Sequence, residues 1–122
     1  MAARNHKQKT YELGLKAEKM AAGYLTLKGY KVLEERYKTP YGEIDLIAQK
    51  KNLIAFIEVK ARQTKEQALE SITPRMKKRI SQAALFYISQ NDVPAMDYRF
   101  DLMAVTIPFS IDHLKNAWMM DT

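Results

Sequence analysis

Glu43, Asp45, Glu58 and Lys60 are the residues of this chain best suited to do chemistry together. They lie in two short motifs, Gly42-Glu43-Ile44-Asp45 and Glu58-Val59-Lys60, each inside an otherwise hydrophobic segment. Two like charges about 5 Å apart at an effective dielectric near 20 repel by roughly 3 kcal/mol. One lysine cannot neutralise three carboxylates. A divalent cation would resolve the conflict, and hard oxygen ligands select Mg²⁺ or Mn²⁺. Taken singly, Glu-x-Lys on a strand is commonly a surface ion pair, and Gly-Glu-x-Asp is commonly a turn with a solvated strand start. Their conjunction in two apolar strands is what argues for a site.

Period-two alternation decides how the motifs meet. Leu53–Arg62 reads as a strand with Ile54, Phe56, Glu58, Lys60 and Arg62 on one face. Glu43–Gln49 reads as another, with Glu43, Asp45 and Ile47 opposite Ile44, Leu46 and Ala48. A tight hairpin at Lys50-Lys51-Asn52 with a two- or four-residue loop places odd positions of the first strand against even positions of the second. All four charged residues then share one side. A three-residue loop without a bulge would break that alignment. Glu18 is a further acid, bordering the apolar stripe of a preceding helix. It is a solvated helix residue unless that helix packs on the charged face.

The remaining elements follow from pattern. Residues 1–9 are polar and basic and read as a flexible arm, ahead of a single domain over 10–122. Leu13, Ala17, Ala21 and Leu25 form one helical stripe from Thr10, stopped at Gly29. Tyr30–Tyr37 reads as a strand, and Thr39-Pro40-Tyr41-Gly42 as a turn. Gln63–Ser71 reads as a loop. Thr73-Pro74 caps a helix carrying Ile80, Ala84, Tyr87 and Ile88 and ending near Asn91. Tyr98–Ile107 is a strand, and 111–120 is either an edge strand or a terminal helix. The predicted class is α/β, a mixed β-sheet flanked by helices with an α-β-β-β-α-β core.

Composition bounds the function. The chain has 122 residues, 47% hydrophobic and 28% charged, which suits one soluble domain. No cysteine is present, so thiolate metal sites and disulfides are excluded. His6 and His113 stand alone, which speaks against zinc. The first residues lack an apolar core for a signal peptide, and apolar runs such as Leu53 to Ile57 fall far short of the roughly 20 residues of a membrane helix. No membrane partner is expected, and the cytoplasm is the expected location. A net charge of +6 favours a polyanionic partner.

Gly42-Glu43-Ile44-Asp45-Leu46-Ile47-Ala48 followed by Phe56-Ile57-Glu58-Val59-Lys60-Ala61-Arg62 resembles the D…(D/E)-x-K signature of the restriction-endonuclease-like, or PD-(D/E)xK, superfamily. With Gly14-x-x-Ala17-Glu18, Lys77-x-Arg79-Ile80, Arg99-Phe100-Asp101 and Asn116-Ala117, roughly residues 10–118 resemble the YraN family of small bacterial endonuclease-like proteins. That family is similar in site layout to archaeal Holliday-junction resolvases. The resemblance implies a restriction-endonuclease-like sheet and a Mg²⁺-dependent endonuclease acting on DNA rather than RNA, including structured or branched DNA. It assigns Asp45 and Glu58 to the metal with the Val59 carbonyl, Lys60 to catalysis, and Glu18 to the helix glutamate of the resolvase-like branch. Glu43 has no universal counterpart and stands behind the metal ligands.

Phosphate contacts are expected from Arg62, Lys65, Arg75, Lys77, Lys78 and Arg79, the last four at a helix N-terminus. A solvated basic face is the plain alternative for each. Tyr37 and Tyr41 flank the turn and could stack on bases, or be incidental. Arg99 and Asp101 read as a structural salt bridge. Two further functional readings stand beside the nuclease: a non-catalytic nucleic-acid-binding module of the same fold, and a scaffold whose charged strand ends form a salt-bridge network. A homodimer would suit cleavage of two strands. The apolar tail around Trp118 is either an interface or core.

Overall fold

The computed structural model describes residues 5–91, 97–106 and 110–119. Helix α1 spans His6–Leu27, and strands β1 (Lys31–Thr39), β2 (Gly42–Lys50) and β3 (Leu53–Arg62) form a meander after it. Helices α2 (Lys65–Glu70) and α3 (Pro74–Gln90) lead to β4 (Asp97–Thr106) and β5 (Ser110–Trp118). The five strands make one sheet in chain order. Only β3 and β4 run parallel; the other neighbours are antiparallel. A parallel pair needs a long crossover, and α2 and α3 supply it. The class is α/β with a mixed sheet covered on both faces, as the pattern predicts.

Two apolar layers hold the helices to the sheet. Ala17, Ala21 and Leu25 of α1 pack on Leu46, Ala48, Ala55, Ile57, Met103 and Val105. Ile80, Ala83, Ala84 and Tyr87 of α3 pack on the other face, against Ile47, Ile54, Phe56, Phe100 and Leu102. Gly29, at φ 91°, ends α1, and the Tyr30 N–H reaches back to the Leu25 carbonyl at 2.9 Å, the six-to-one closure that a left-handed residue permits.

Two local expectations change, and one open alternative is decided. The helix starts at His6 rather than Thr10, because Asn5 and Gln8 form a reciprocal capping box that polar residues alone had concealed. Residues 1–4 lie outside the described part. Gln63–Ser71 is not all loop: Thr64 caps α2, and Ala68 is its one buried residue, too few for a periodic signal. The ambiguous tail is β5, paired with β4. Trp118 is core: it is buried and stacked on Phe100 with ring centroids 5.6 Å apart. Met120 lies outside the described residues.

Candidate active site

The hairpin register is the expected one, with Lys50 opposite Leu53 and Leu46 opposite Ile57. Beyond Leu46 and Ile57 the ladder between β2 and β3 stops. Asp45 sits at the point of divergence. Its Oδ2 accepts the Val59 N–H at 2.9 Å, so a side chain satisfies a main-chain donor where β2 no longer follows β3.

The faces also change there, contrary to strict alternation. Leu46 and Ala48 face α1, whereas Ile44 joins Ile47 in the layer under α3. On β1, Arg36 lies between the pairs Glu35–Leu46 and Tyr37–Ile44 and adopts φ 52°. A left-handed arginine costs on the order of 1–2 kcal/mol. The kink turns Asp45 out of both apolar layers into a cleft. Glu43, Asp45, Glu58 and Lys60 do line one cleft, though not by the strict alternation expected of both strands. They converge because two strands splay and twist, with β3 alone alternating regularly.

The cleft has a volume of about 420 Å³ and receives Glu18, Glu43, Asp45, Glu58, Val59 and Lys60. Helix α1 packs on the face opposite Phe56, not on the charged face. Glu18 still comes within hydrogen-bonding reach of Asp45, because Asp45 stands at the open end of the strand pair. Glu58 reaches Asp45 as well, so Asp45 is the common neighbour of two carboxyls.

The electrostatics follow from that crowding. Glu58 is only 4% exposed. Burial first, then the hydrogen bond and charge of Asp45, push its carboxyl well above the ordinary carboxylate range, while Lys60 and Arg79 pull it back. Glu18 is pushed up to about 7, by burial first and Asp45 second, with Arg36 opposing. Among the described residues, no three His, Cys, Asp or Glu side chains are already gathered as a metal-binding group. Asp45 and Glu58 both line the cleft and supply carboxyl oxygens there. One or two carboxylates are what Mg²⁺ ordinarily takes from a protein, the rest being water and substrate phosphate.

The rim of the cleft is basic. Arg62 and Arg79 line it, and Arg75 and Lys78 line an adjoining hollow with Arg79. Lys65, in α2, and Lys77, whose carbonyl accepts the Ser81 hydroxyl at 2.9 Å, are not among the residues lining the cleft. Gly42, at φ 135°, leaves room for Arg79: a Cβ there would meet the Arg79 Cδ at 2.8 Å. Arg36 is the residue that pattern missed. Its Nε lies 3.3 Å from Glu43 and 3.7 Å from Glu18, and its Nη1 donates to the Tyr11 hydroxyl at 3.3 Å. In Glu34-Glu35-Arg36 it reads as an exposed strand position; only its backbone angle turns it to the cleft.

Arg99 and Asp101 form their own network away from the cleft. The Asp101 carboxylate, fully buried, accepts from Arg99 Nε and Nη2 at 2.7 Å each and from the Asn116 N–H at 3.0 Å. His113 is not isolated: its Nε2 is 2.8 Å from Asp101. Burial alone would raise the Asp101 carboxyl, but its hydrogen bonds with His113, Arg99 and Asn116 outweigh that and hold it below the usual range. Tyr37 packs edge-on against Tyr87 at 5.1 Å, whereas Tyr41 is exposed.

Comparison with known proteins places the chain in a family. The model of the uncharacterised protein family UPF0102 matches residues 17–105, which contain Glu18, Asp45, Glu58, Lys60 and Arg79. A UPF0102 protein of Rhodopseudomonas palustris strain BisB5 is 44% identical over 88% of this chain and 83% of its own length. One from Bradyrhizobium diazoefficiens is 45% identical over 78% of this chain and 72% of its own length. One from Chelativorans sp. strain BNC1 is 45% identical over 95% of this chain and 94% of its own.

Proposed function

The chain belongs to the uncharacterised protein family UPF0102, and on the geometry of its cleft we propose that it is a metal-dependent nuclease hydrolysing phosphodiester bonds in DNA. The observation that carries the reading is that Glu18, Asp45 and Glu58 line one cleft where β2 leaves β3, together with Arg36, Lys60, Arg62 and Arg79. Acids alone would repel a phosphate and cations alone would only bind it. A phosphodiester beside a divalent cation satisfies both sets.

Asp45, Glu58 and the Val59 carbonyl would hold Mg²⁺ or Mn²⁺, which when bound supplies a water of lowered pKa and charge for the phosphoryl oxygens. Lys60 orients the attacking water and neutralises charge that grows on the phosphate in the transition state. Glu18, with its affinity for protons near neutrality, accepts a hydrogen bond from that water or takes up its proton. Glu43 acts through Arg36, which it holds at 3.3 Å beside the cleft. Arg62 and Arg79 hold the flanking phosphates.

Among the described residues no helix is long and apolar enough to cross a membrane, and a cytoplasmic, DNA-bound protein is part of the proposal. A homodimer would bring two such clefts to two strands, and sedimentation with and without DNA measures it. The activity is tested by a cleavage screen over single-stranded, duplex, flap and four-way DNA with Mg²⁺ and Mn²⁺. The wild-type chain is expected to cut. Asp45→Asn, Glu58→Gln and Lys60→Ala should each lower the rate at least 10²-fold while leaving the circular-dichroism spectrum unchanged. Cleavage surviving all three together would remove the assignment. Tight, salt-sensitive binding without cleavage would leave the non-catalytic module as the correct reading.

A further inference from the structure

Three hollows run end to end along the solvent side of α3. Arg79 borders both the cleft and a second hollow of about 350 Å³, which also receives Arg75, Lys78 and Gln82. Gln82 in turn borders a third hollow, of about 270 Å³, lined by Tyr41, Leu85 and Phe86. Positions 75, 78, 79, 82, 85, 86 and 89 recur at three and four residues, so they form one stripe, turned away from the buried Ile80, Ala84 and Tyr87. From Arg75 to Ser89 the stripe rises about 21 Å.

Its chemistry changes along its length. The N-terminal half is basic, and α3 contains no Asp or Glu at all. The other half is aromatic. Tyr41 is 48% exposed and Leu85 52% exposed, and the Tyr41 and Phe86 rings meet at 66° with centroids 6.5 Å apart. A cationic groove continuing into an aromatic hollow is the combination that binds an unpaired strand: phosphates need cations, and a base out of its stack needs a ring. Duplex DNA offers the phosphates but hides its base faces.

We propose that this stripe carries a single-stranded segment of nucleic acid leading out of the cleft, with phosphates on Arg75 and Lys78 and one base seated at Tyr41 and Phe86. The inference rests on the nuclease reading for its direction, and it specifies the substrate class: DNA with an unpaired tail beside the scissile bond. At roughly 3.4 Å per stacked nucleotide, the stripe spans about six.

Binding measured in EDTA separates this proposal from cleavage. Fluorescence anisotropy of the full chain is read with three probes: a 12-nucleotide single strand, a blunt duplex, and the same duplex with a 6-nucleotide tail. The tailed duplex is expected to bind at least tenfold more tightly than the blunt one. Tyr41→Ala should abolish that preference and leave blunt binding within twofold, while Tyr41→Phe, which keeps the ring, should restore it. Arg75→Gln with Lys78→Gln should flatten the salt dependence for the single strand by about 1.4 in log–log slope. Equal binding of tailed and blunt duplex, or a Tyr41→Ala effect equal on both, overturns the proposal even if the protein cleaves. So does a Tyr41→Ala effect seen only as loss of a dimer in sedimentation, since the hollow would then seat a second copy. Tail-dependent binding without cleavage in Mg²⁺ keeps the stripe and removes the nuclease reading instead.

Discussion

At the scale of single residues, Asp45 sets the behaviour of the site. It is held by the Val59 N–H and faces Glu18 and Glu58 together. Both neighbours bind protons more tightly when folded than when unfolded. For Glu18, whose folded value is about 7 against an ordinary 4.5, the contribution to stability is fully present below pH 4.5. It is lost as pH rises through 7, because only the unfolded chain releases the proton freely. Glu58 acts in the same sense. The melting temperature should therefore fall between pH 5 and pH 8 in metal-free buffer. Asp45→Asn should flatten the fall, since it removes the like charge and keeps an oxygen for Val59. Mn²⁺ should stabilise the wild-type chain most at pH 8, by about 2.7 kcal/mol at a hundredfold excess over its dissociation constant, and Asp45→Asn hardly at all. A thermal scan at the two pH values checks all three, and equal Mn²⁺ effects on the two proteins would disconnect the acids from any ion.

At the scale of elements, the cleft depends on contacts between segments distant in sequence. The start of β2 meets the first turns of α3 through Gly42 and Arg79. Gly42→Ala would need an L-residue at φ 135° and a displaced guanidinium stem. It is expected to cost about 1–3 kcal/mol of stability and to raise the KM for DNA. Arg79→Ala should raise KM similarly with stability nearly unchanged. Urea denaturation beside steady-state kinetics distinguishes them, and an unaltered KM in both variants would remove Arg79 from the cleft's function. The cap of α3 belongs to this scale too: Thr73 accepts the Met76 N–H at 3.2 Å and fixes where the basic turn begins.

At the scale of the whole molecule, the two apolar layers and the Asp101 network fix the frame on which the cleft opens. The network joins β4 to β5 through Asn116 and His113, and to the junction of α1 and β1 through Arg99 and the Tyr30 hydroxyl, 2.7 Å apart. Removing one partner of a buried ion pair leaves an uncompensated charge. Arg99→Met is expected to cost about 3–5 kcal/mol in chemical denaturation and to change cleavage only through the fraction folded. A loss of rate in fully folded protein would instead couple this network to the site.

Much of the arrangement was legible in the residues. Leu13, Ala17, Ala21 and Leu25 announce α1, Thr73-Pro74 announces α3, and odd-sum pairing across Lys51-Asn52 brings the charged ends of β2 and β3 together. These are local periodicities and turn chemistry, which a chain carries wherever it folds. What sequence left undetermined is long-range. Alternation predicts Ile44 on the same face as Leu46, and the structure instead splits the strands at Asp45, moves Ile44 to the opposite layer, and turns Arg36 through a left-handed angle into the cleft. Nothing in period two encodes such a kink, which breaks the alternation itself. The sequence determined which acidic and basic residues were available to form a cleft. Only the tertiary structure decided that Glu18 and Arg79, from helices on opposite sides of the sheet, would meet them at one opening.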